Sequence, residues 1–431
     1  MPKLALLGGK KVREKPFPPH PVLGEEEKKQ VLEVLDSGLL SGFIAKPGEH
    51  FFGGPKVRQL EDEFKEYFGV KHAIAVNSAT AGLHAAVAAL NLSPGDEIIV
   101  SPFTMSASAS AILMNNCIPV FADIQEDIFC IDPRKIELAI TPQTKAIIVV
   151  HLFGQAAEMD EIIAIAKKYN LYVIEDAAQA IGATYKGRYC GTIGDVGVFS
   201  LNQHKTITTG EGGIVVTNND EIAQKVRLIR NHGEAVVAEL GITDIVNVLG
   251  WNYRMTEIEA AIGIAQFRKL DKLNNHRIEL ANYLTEKLSQ FTDYFDLPVV
   301  RPYNKHVYFV YPFKYKEKNI GIPRDLFVKA VQAENIPITA GYNRPLYLEP
   351  LFQKKIVYGT QGCPFSCAFY KGNVKYDKGI CPVAERMYER ELIITGICRY
   401  PLTKHDIDDL INAFEKVLEN IGELKEAYIK V

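Results

Sequence analysis

Lys205 stands between an apolar run, Val196–Leu201, and a glycine-rich turn, Thr209-Gly-Glu-Gly-Gly213. A lysine at the end of a buried strand is costly unless it has a partner or a task. Burial lowers its pKa and frees the amine, which can then form a Schiff base with an aldehyde. Taken alone, Lys205 reads as a surface-loop lysine. Two further residue groups give it company. The run Tyr172–Glu175 leads into Glu175-Asp176-Ala-Ala-Gln179-Ala180. A carboxylate at the C-terminal edge of a parallel strand faces the crevice where ligands bind, although Asp176 by itself is equally a helix N-cap. The run His72–Val76 leads into Asn77-Ser78-Ala79-Thr80-Ala81-Gly82. Small residues opening a helix offer free N–H groups and a positive dipole end to a phosphate, or else form a plain Ser/Thr cap. No lysine follows a Gly-x-x-x-x-Gly, and no Gly-x-Gly-x-x-Gly opens a helix after a strand, so the nucleotide-binding loops are excluded.

These residues need a scaffold. Between about residues 57 and 230, helical patterns (Val57–Phe68, Thr80–Leu90, Glu158–Tyr169, Asp220–Arg230) alternate with apolar runs (His72–Val76, Glu97–Val100, Pro119–Ala122, Ala146–Leu152, Tyr172–Glu175, Val196–Leu201, Gly213–Thr217). Runs that are apolar on both faces suit strands covered by helices on each side, hence an α/β domain with a largely parallel sheet. One long helix is expected from Thr256 to about Gln290, connecting to a smaller α+β domain. In the latter, strand candidates at His306–Tyr315 precede a helix at Arg324–Glu334, an irregular stretch at Pro337–Pro382 and a final helix at Lys404–Leu424. The expected division is residues 1–290 and 291–431. The Gly/Phe-rich stretch Ser41–Pro55 reads as a loop.

With 431 residues, 47% hydrophobic and 23% charged, the chain is long enough for two domains and ordinary in balance. A net charge of −3 and scattered basic residues argue against a nucleic-acid partner. The N-terminal apolar stretch is too short for a signal peptide, and no run reaches the ~20 residues of a membrane span, so a soluble cytoplasmic protein is expected. Seven cysteines do not suggest a disulfide framework. Cys363-Pro-Phe-Ser-Cys367 is one loose pair where zinc would want two tight ones, so no metal is expected and both thiols read as reduced.

Phosphate cradle, acid and lysine occur in that order, each after an expected strand. With Gly54-Pro-Lys-Val57, Gly194-Asp195, Phe199-Ser200, Arg230-Asn-His-Gly233 and Trp251-Asn-Tyr-Arg-Met255, they resemble the DegT/DnrJ/EryC1/StrS family of sugar and cyclitol aminotransferases. The resemblance runs from about Leu23 to Leu424. It implies the pyridoxal 5'-phosphate (PLP) dependent transferase fold type I, like that of aspartate aminotransferase, with a large mostly parallel-sheet domain and a smaller α+β C-terminal domain. It further implies an internal aldimine on Lys205, which also shuttles the proton. Asp176 would hold the pyridine nitrogen and Gln179 would lie by the ring hydroxyl. Ala79, Thr80 and Ser200 would hold the phosphate, and Asn252 would reach it from the partner of a homodimer with shared active sites.

The implied reaction moves an amino group from glutamate or glutamine to a keto sugar, or alternatively to a cyclitol. Tyr342, Asn343, Arg344 and Tyr347 are candidates for the acceptor pocket. Two alternatives are disfavoured: a related sugar dehydratase, which would carry histidine in place of Lys205, and a non-catalytic PLP-binding regulator, which would have no reason to keep the full set of lysine, aspartate and phosphate-binding residues. Three departures fall where the acceptor would be read. Met105 stands where the family usually has the aromatic residue stacked on the ring, leaving either Met105 or a shifted Phe103 for that place. Arg344-Pro-Leu-Tyr347 replaces a usual Pro-x-His-x-Gln-Pro, and Ser41–Phe52 is longer than usual.

Overall fold

The alternating runs build a seven-stranded sheet from β1 (His72–Val76), β2 (Glu97–Val100), β3 (Ile118–Phe121), β4 (Thr144–Val150), β5 (Tyr172–Asp176), β6 (Val196–Ser200) and β7 (Gly213–Thr217). The structure, a computed structural model, describes residues 2–243 and 247–428. The strands lie in the order β1-β7-β6-β5-β4-β2-β3. All pair in parallel except β7, which is antiparallel to both neighbours. Every residue of β2, β6 and β7 is buried. Their sequences therefore lack the two-residue alternation of half-exposed strands.

Helices cover the sheet: α1 (Glu25–Ser37), α2 (Pro55–Phe68), α3 (Ala79–Ala89), α4 (Ala107–Met114), α5 (Pro133–Ala139), α6 (Met159–Tyr169) and α7 (Asp220–Arg230). Pro55 opens α2, where a missing N–H costs nothing, and Gly69 closes it in the left-handed region at φ 64°. The sequence reading lacks α1, α4 and α5. In α4 the order Ala-Ser-Ala-Ser mimics a strand's period, and α1 opens on six polar residues.

The single helix expected over Thr256–Gln290 is instead two, α8 (Glu257–Phe267) and α9 (Leu270–Leu288), broken at Arg268 and Lys269. A Thr256/Glu259 capping box starts α8. The chain turns at the break because the two helices serve different cores. Ala260, Ile264 and Phe267 pack in the first, and Leu280, Leu284 and Leu288 in the second.

The second core lies under an antiparallel sheet of β8 (Phe295–Asp296), β9 (Tyr311–Tyr315), β10 (Ile338–Ala340) and β11 (Leu392–Thr395), in the order β8-β9-β11-β10. Phe327 and Val331 of α10 (Arg324–Ala333), and Phe414 and Val417 of α11 (Lys404–Glu419), close it. The expected terminal helix ends at Glu419, and α12 (Ile421–Tyr428) follows. Between β10 and β11 the chain returns to the first core, burying Leu346, Tyr347, Phe352, Tyr376 and Cys381 there. On the way, Cys363 and Cys367 form a disulfide. This corrects their reading as reduced thiols: the turn brings their Cα atoms to 5.4 Å, a bridging distance that the spacing alone did not reveal. The other five cysteines are free and buried. Among the described residues, no helix is long and apolar enough to cross a membrane.

Candidate active site

Strand β6 ends at Ser200, and the chain enters a tight loop in which the amide of Lys205 donates to the carbonyl of Asn202 at 2.9 Å. Thr206 to Thr209 are buried, and the Thr209 amide returns to the Leu201 carbonyl, so the loop is pinned at both ends. The Lys205 amine lies 4.8 Å from the centre of the Phe309 ring. Burial pushes its pKa below the ordinary lysine value, while the charge of Asp176 pulls it back. Phe309 was not among the residues singled out from sequence. It lies about a hundred residues away, on the segment entering β9, and no local pattern marks it.

Asp176 is the last residue of β5, and its carboxylate is held from two sides. Oδ1 accepts from the Ala178 amide at 3.2 Å, and Oδ2 accepts from Ser108 Oγ at 2.8 Å. A carboxylate only accepts, so Ser108 donates. The Ser108 oxygen is thereby left to accept from Thr104 Oγ1 at 3.2 Å. Both hydroxyl residues are buried, at the opening of α4. This relay is the second omission of the sequence reading, and its signal was a serine within the apolar face of a buried helix. The neighbouring Glu175 points the other way. It accepts from His151 Nε2 at 2.8 Å and from the amides of Gly191, Ile193 and Gly194, and so braces a turn.

At the third strand end, Ser78 caps α3 by accepting from the Ala81 amide at 3.0 Å. The amides of Ala79 and Thr80 sit in the open first turn, where no intrahelical acceptor exists. Gly213 pairs with Ser200 and packs directly on this turn: a Cβ there would sit 2.6 Å from the Ala79 nitrogen. Gly213 thus brings the end of β6 at Ser200 against the open first turn of α3, beside the lysine loop. Free amides at such a helix opening suit a phosphate, and a half-buried lysine within the field of a buried carboxylate suits an aldehyde-bearing pyridine.

Gln179 closes the floor. Its Oε1 accepts from the Phe153 amide at 2.8 Å and its Nε2 donates to the Tyr342 hydroxyl at 2.9 Å. Phe153 takes a left-handed backbone (φ 60°), a conformation that costs about 1–3 kcal/mol for such a residue. It is held there by Gln179 and by His306, which bonds its carbonyl at 3.1 Å. The Tyr342 ring packs edge-on against Phe103 and Phe153. Its hydroxyl already accepts from Gln179, so its own proton is free for another acceptor.

Asn343 donates to the Thr104 carbonyl at 3.1 Å, joining this loop to the relay behind Asp176, and Arg344 is exposed. Tyr347 does not join the group: it is fully buried and its hydroxyl donates to Glu385. A pocket-lining role for it is therefore corrected to a core one. Phe103 is fully buried too, whereas Met105 is 56% exposed, so of the two only Met105 has an open face. Asn252 is exposed, beside Asn77 of its own chain, which donates to its carbonyl at 3.4 Å.

Solved structures with this architecture are PLP-dependent aminotransferases of fold type I, and this chain is an enzyme of that class. An aminotransferase from Psychrobacter cryohalolentis matches with a TM-score of 0.82 at 31% identity, covering 94% of this chain and 100% of the other. More particularly, the chain belongs to the DegT/DnrJ/EryC1/StrS aminotransferase family, whose model matches residues 21–376. GDP-perosamine synthase of Caulobacter vibrioides is 38% identical over 330 residues, 77% of this chain and 85% of that protein. A putative L-glutamine:3-amino-2,3-dideoxy-scyllo-inosose aminotransferase of Micromonospora echinospora is 32% identical over 427 residues, 99% of each. The family is one of sugar aminotransferases.

Proposed function

We propose that this enzyme transfers an amino group from glutamate or glutamine to a keto sugar, with Lys205 as the residue that joins the cofactor covalently. The observation that carries this reading is the half-buried Lys205, just past the end of β6, within the field of Asp176 at the end of the adjacent β5, beside the open first turn of α3. PLP, when bound, supplies the electron sink that makes the carbon–hydrogen bond next to nitrogen acidic. Asp176 holds the pyridine nitrogen in its protonated form. Ala79, Thr80 and Ser200 hold the phosphate, and Gln179 orients the ring's hydroxyl side. Burial favours the neutral amine of Lys205, the form able to take a proton and return it one carbon away. Tyr342 donates its free hydroxyl proton to the acceptor, and exposed Arg344 borders the same mouth.

A second acceptor class, a cyclitol ketone, is favoured by the relative named for a scyllo-inosose substrate, whose match runs the length of both chains. That relative's name also supports glutamine as donor. We further propose a division at about residue 290, a cytoplasmic setting, and a homodimer in which the exposed Asn252 contacts the other subunit's phosphate.

The test is a pair of half-reactions. The purified enzyme with PLP should lose its visible absorbance on adding glutamate or glutamine, and should regain it with a keto sugar or a cyclitol ketone. Lys205→Ala should do neither. A variant that keeps both the absorbance and turnover would overturn the assignment.

A further inference from the structure

Beside the lysine loop lies a cavity of about 230 Å³, walled by His20, Thr206, Lys272, Arg277 and Tyr400 among others. Its charge is unbalanced. Arg277, on α9, is only 3% exposed, and its hydrogen bonds are two, from Nη1 to the carbonyls of Tyr308 (3.4 Å) and Phe309 (3.2 Å). Its Nε and Nη2 bond nothing among the described residues. Arg399, just past β11, is half-buried and does not itself line the cavity, but it precedes Tyr400 of the wall and its charge acts on both Arg277 and His20. Its guanidinium has no hydrogen bond or ion pair among the described residues. Lys272, at the exposed mouth, has no carboxylate partner among the described residues, and the acid on the wall, Glu26, is paired with Lys269 at 3.2 Å.

His20 adds a further vacancy. Its Nε2 donates to the Lys205 carbonyl at 3.2 Å, while its Nδ1 is buried without a partner. Burial, then Arg277, then Arg399 lower its pKa to about 4. Arg277 is lowered to about 10, chiefly by burial and partly by Arg399, and stays cationic at neutral pH. Buried cations are ordinarily paired, because an unpaired one loses its hydration with nothing in return. Here the buried guanidinium of Arg277 lines the cavity, with the half-buried Arg399 near enough to act on it, and neither meets an anion among the described residues.

We propose that this cavity is a binding site for a small oxyanion, a carboxylate or a phosphate. Guanidinium forks match the paired oxygens of either group. The volume suits one such group and falls below the ~300 Å³ at which pockets for larger ligands begin, so a sugar nucleotide does not fit. A bound anion would draw a proton onto His20, whose Nδ1–H would then be a third donor. No residue of the first turn of α3 lines this cavity, and the proposal does not depend on which residue holds the cofactor.

Calorimetric titration of the PLP-loaded enzyme at constant ionic strength tests this, with sodium sulfate, sodium phosphate and 2-oxoglutarate as probes. The cofactor's visible absorbance, followed throughout, shows that the cofactor's own site stays filled. Sulfate should bind saturably, at least tenfold more weakly in Arg399→Gln, with part of the affinity regained in Arg399→Lys. Competition by 2-oxoglutarate would identify the source as a carboxylic acid of the donor's kind; competition by phosphate alone would identify free phosphate. An absence of saturable binding, or equal affinity in Arg399→Gln, overturns the proposal. Arg277 is left intact because its loss would unseat the Tyr308–Phe309 backbone.

Discussion

The two sides of the crevice are built differently. On the cofactor side, Lys205, Asp176, Ser200 and Ala79 all leave the ends of buried strands in one sheet, and their spacing is set by backbone pairing. On the acceptor side, Tyr342 and Asn343 lie on a loop more than 160 residues away from Gln179 and more than 230 away from Thr104, and side-chain hydrogen bonds secure them. A ladder-held site tolerates little movement, whereas a loop held by two or three side-chain contacts shifts with each substitution. On the proposed assignment, the chemistry would reside in the rigid half and the choice of acceptor in the adjustable one.

Mutations can break or sharpen that contrast. Lys205→Ala has the largest expected effect, a loss of turnover of about a thousandfold or more in both half-reactions, read by stopped-flow absorbance. Asp176→Asn should cost about a hundredfold with every donor and acceptor alike, since it acts on the ring they share. Ser108→Ala removes one hydrogen bond to a charged group, worth about 1.5–3 kcal/mol. Turnover should fall roughly tenfold or somewhat more, and the pH at which the bound cofactor's absorbance changes should move. Ser108→Thr should restore both; an unmoved absorbance transition would reduce Ser108 to packing. Tyr342→Phe should have the smallest effect, a several-fold rise in KM for the acceptor with the donor half-reaction little changed. If Tyr342→Phe instead slows both half-reactions equally, the separation of the two sides fails.

The same contrast explains what could be read in advance. The central strands lie within two residues of their expected limits because fully buried runs announce themselves, and the order of lysine, acid and cradle followed from them. Residues that reach the site through distant contacts left no local trace: Ser108 lies in a helix whose Ala-Ser alternation resembles a strand, and Phe309 meets Lys205 only through the fold. Tyr347 has the composition of a pocket residue, yet Glu385, 38 positions on, draws its hydroxyl into the core. The break in the long helix at Arg268 had no proline or glycine to signal it.

Gly213 gives the contrast a longer reach. With no side chain between them, the start of β7 packs directly on the first turn of α3. A larger residue at that position would collide with the backbone of Ser78 and Ala79 and push the turn, with its free amides, away from the strand. On the proposed reading, that turn anchors the cofactor's phosphate, and a change of acceptor would call for altered loops on the opposite wall with the anchor left as it is.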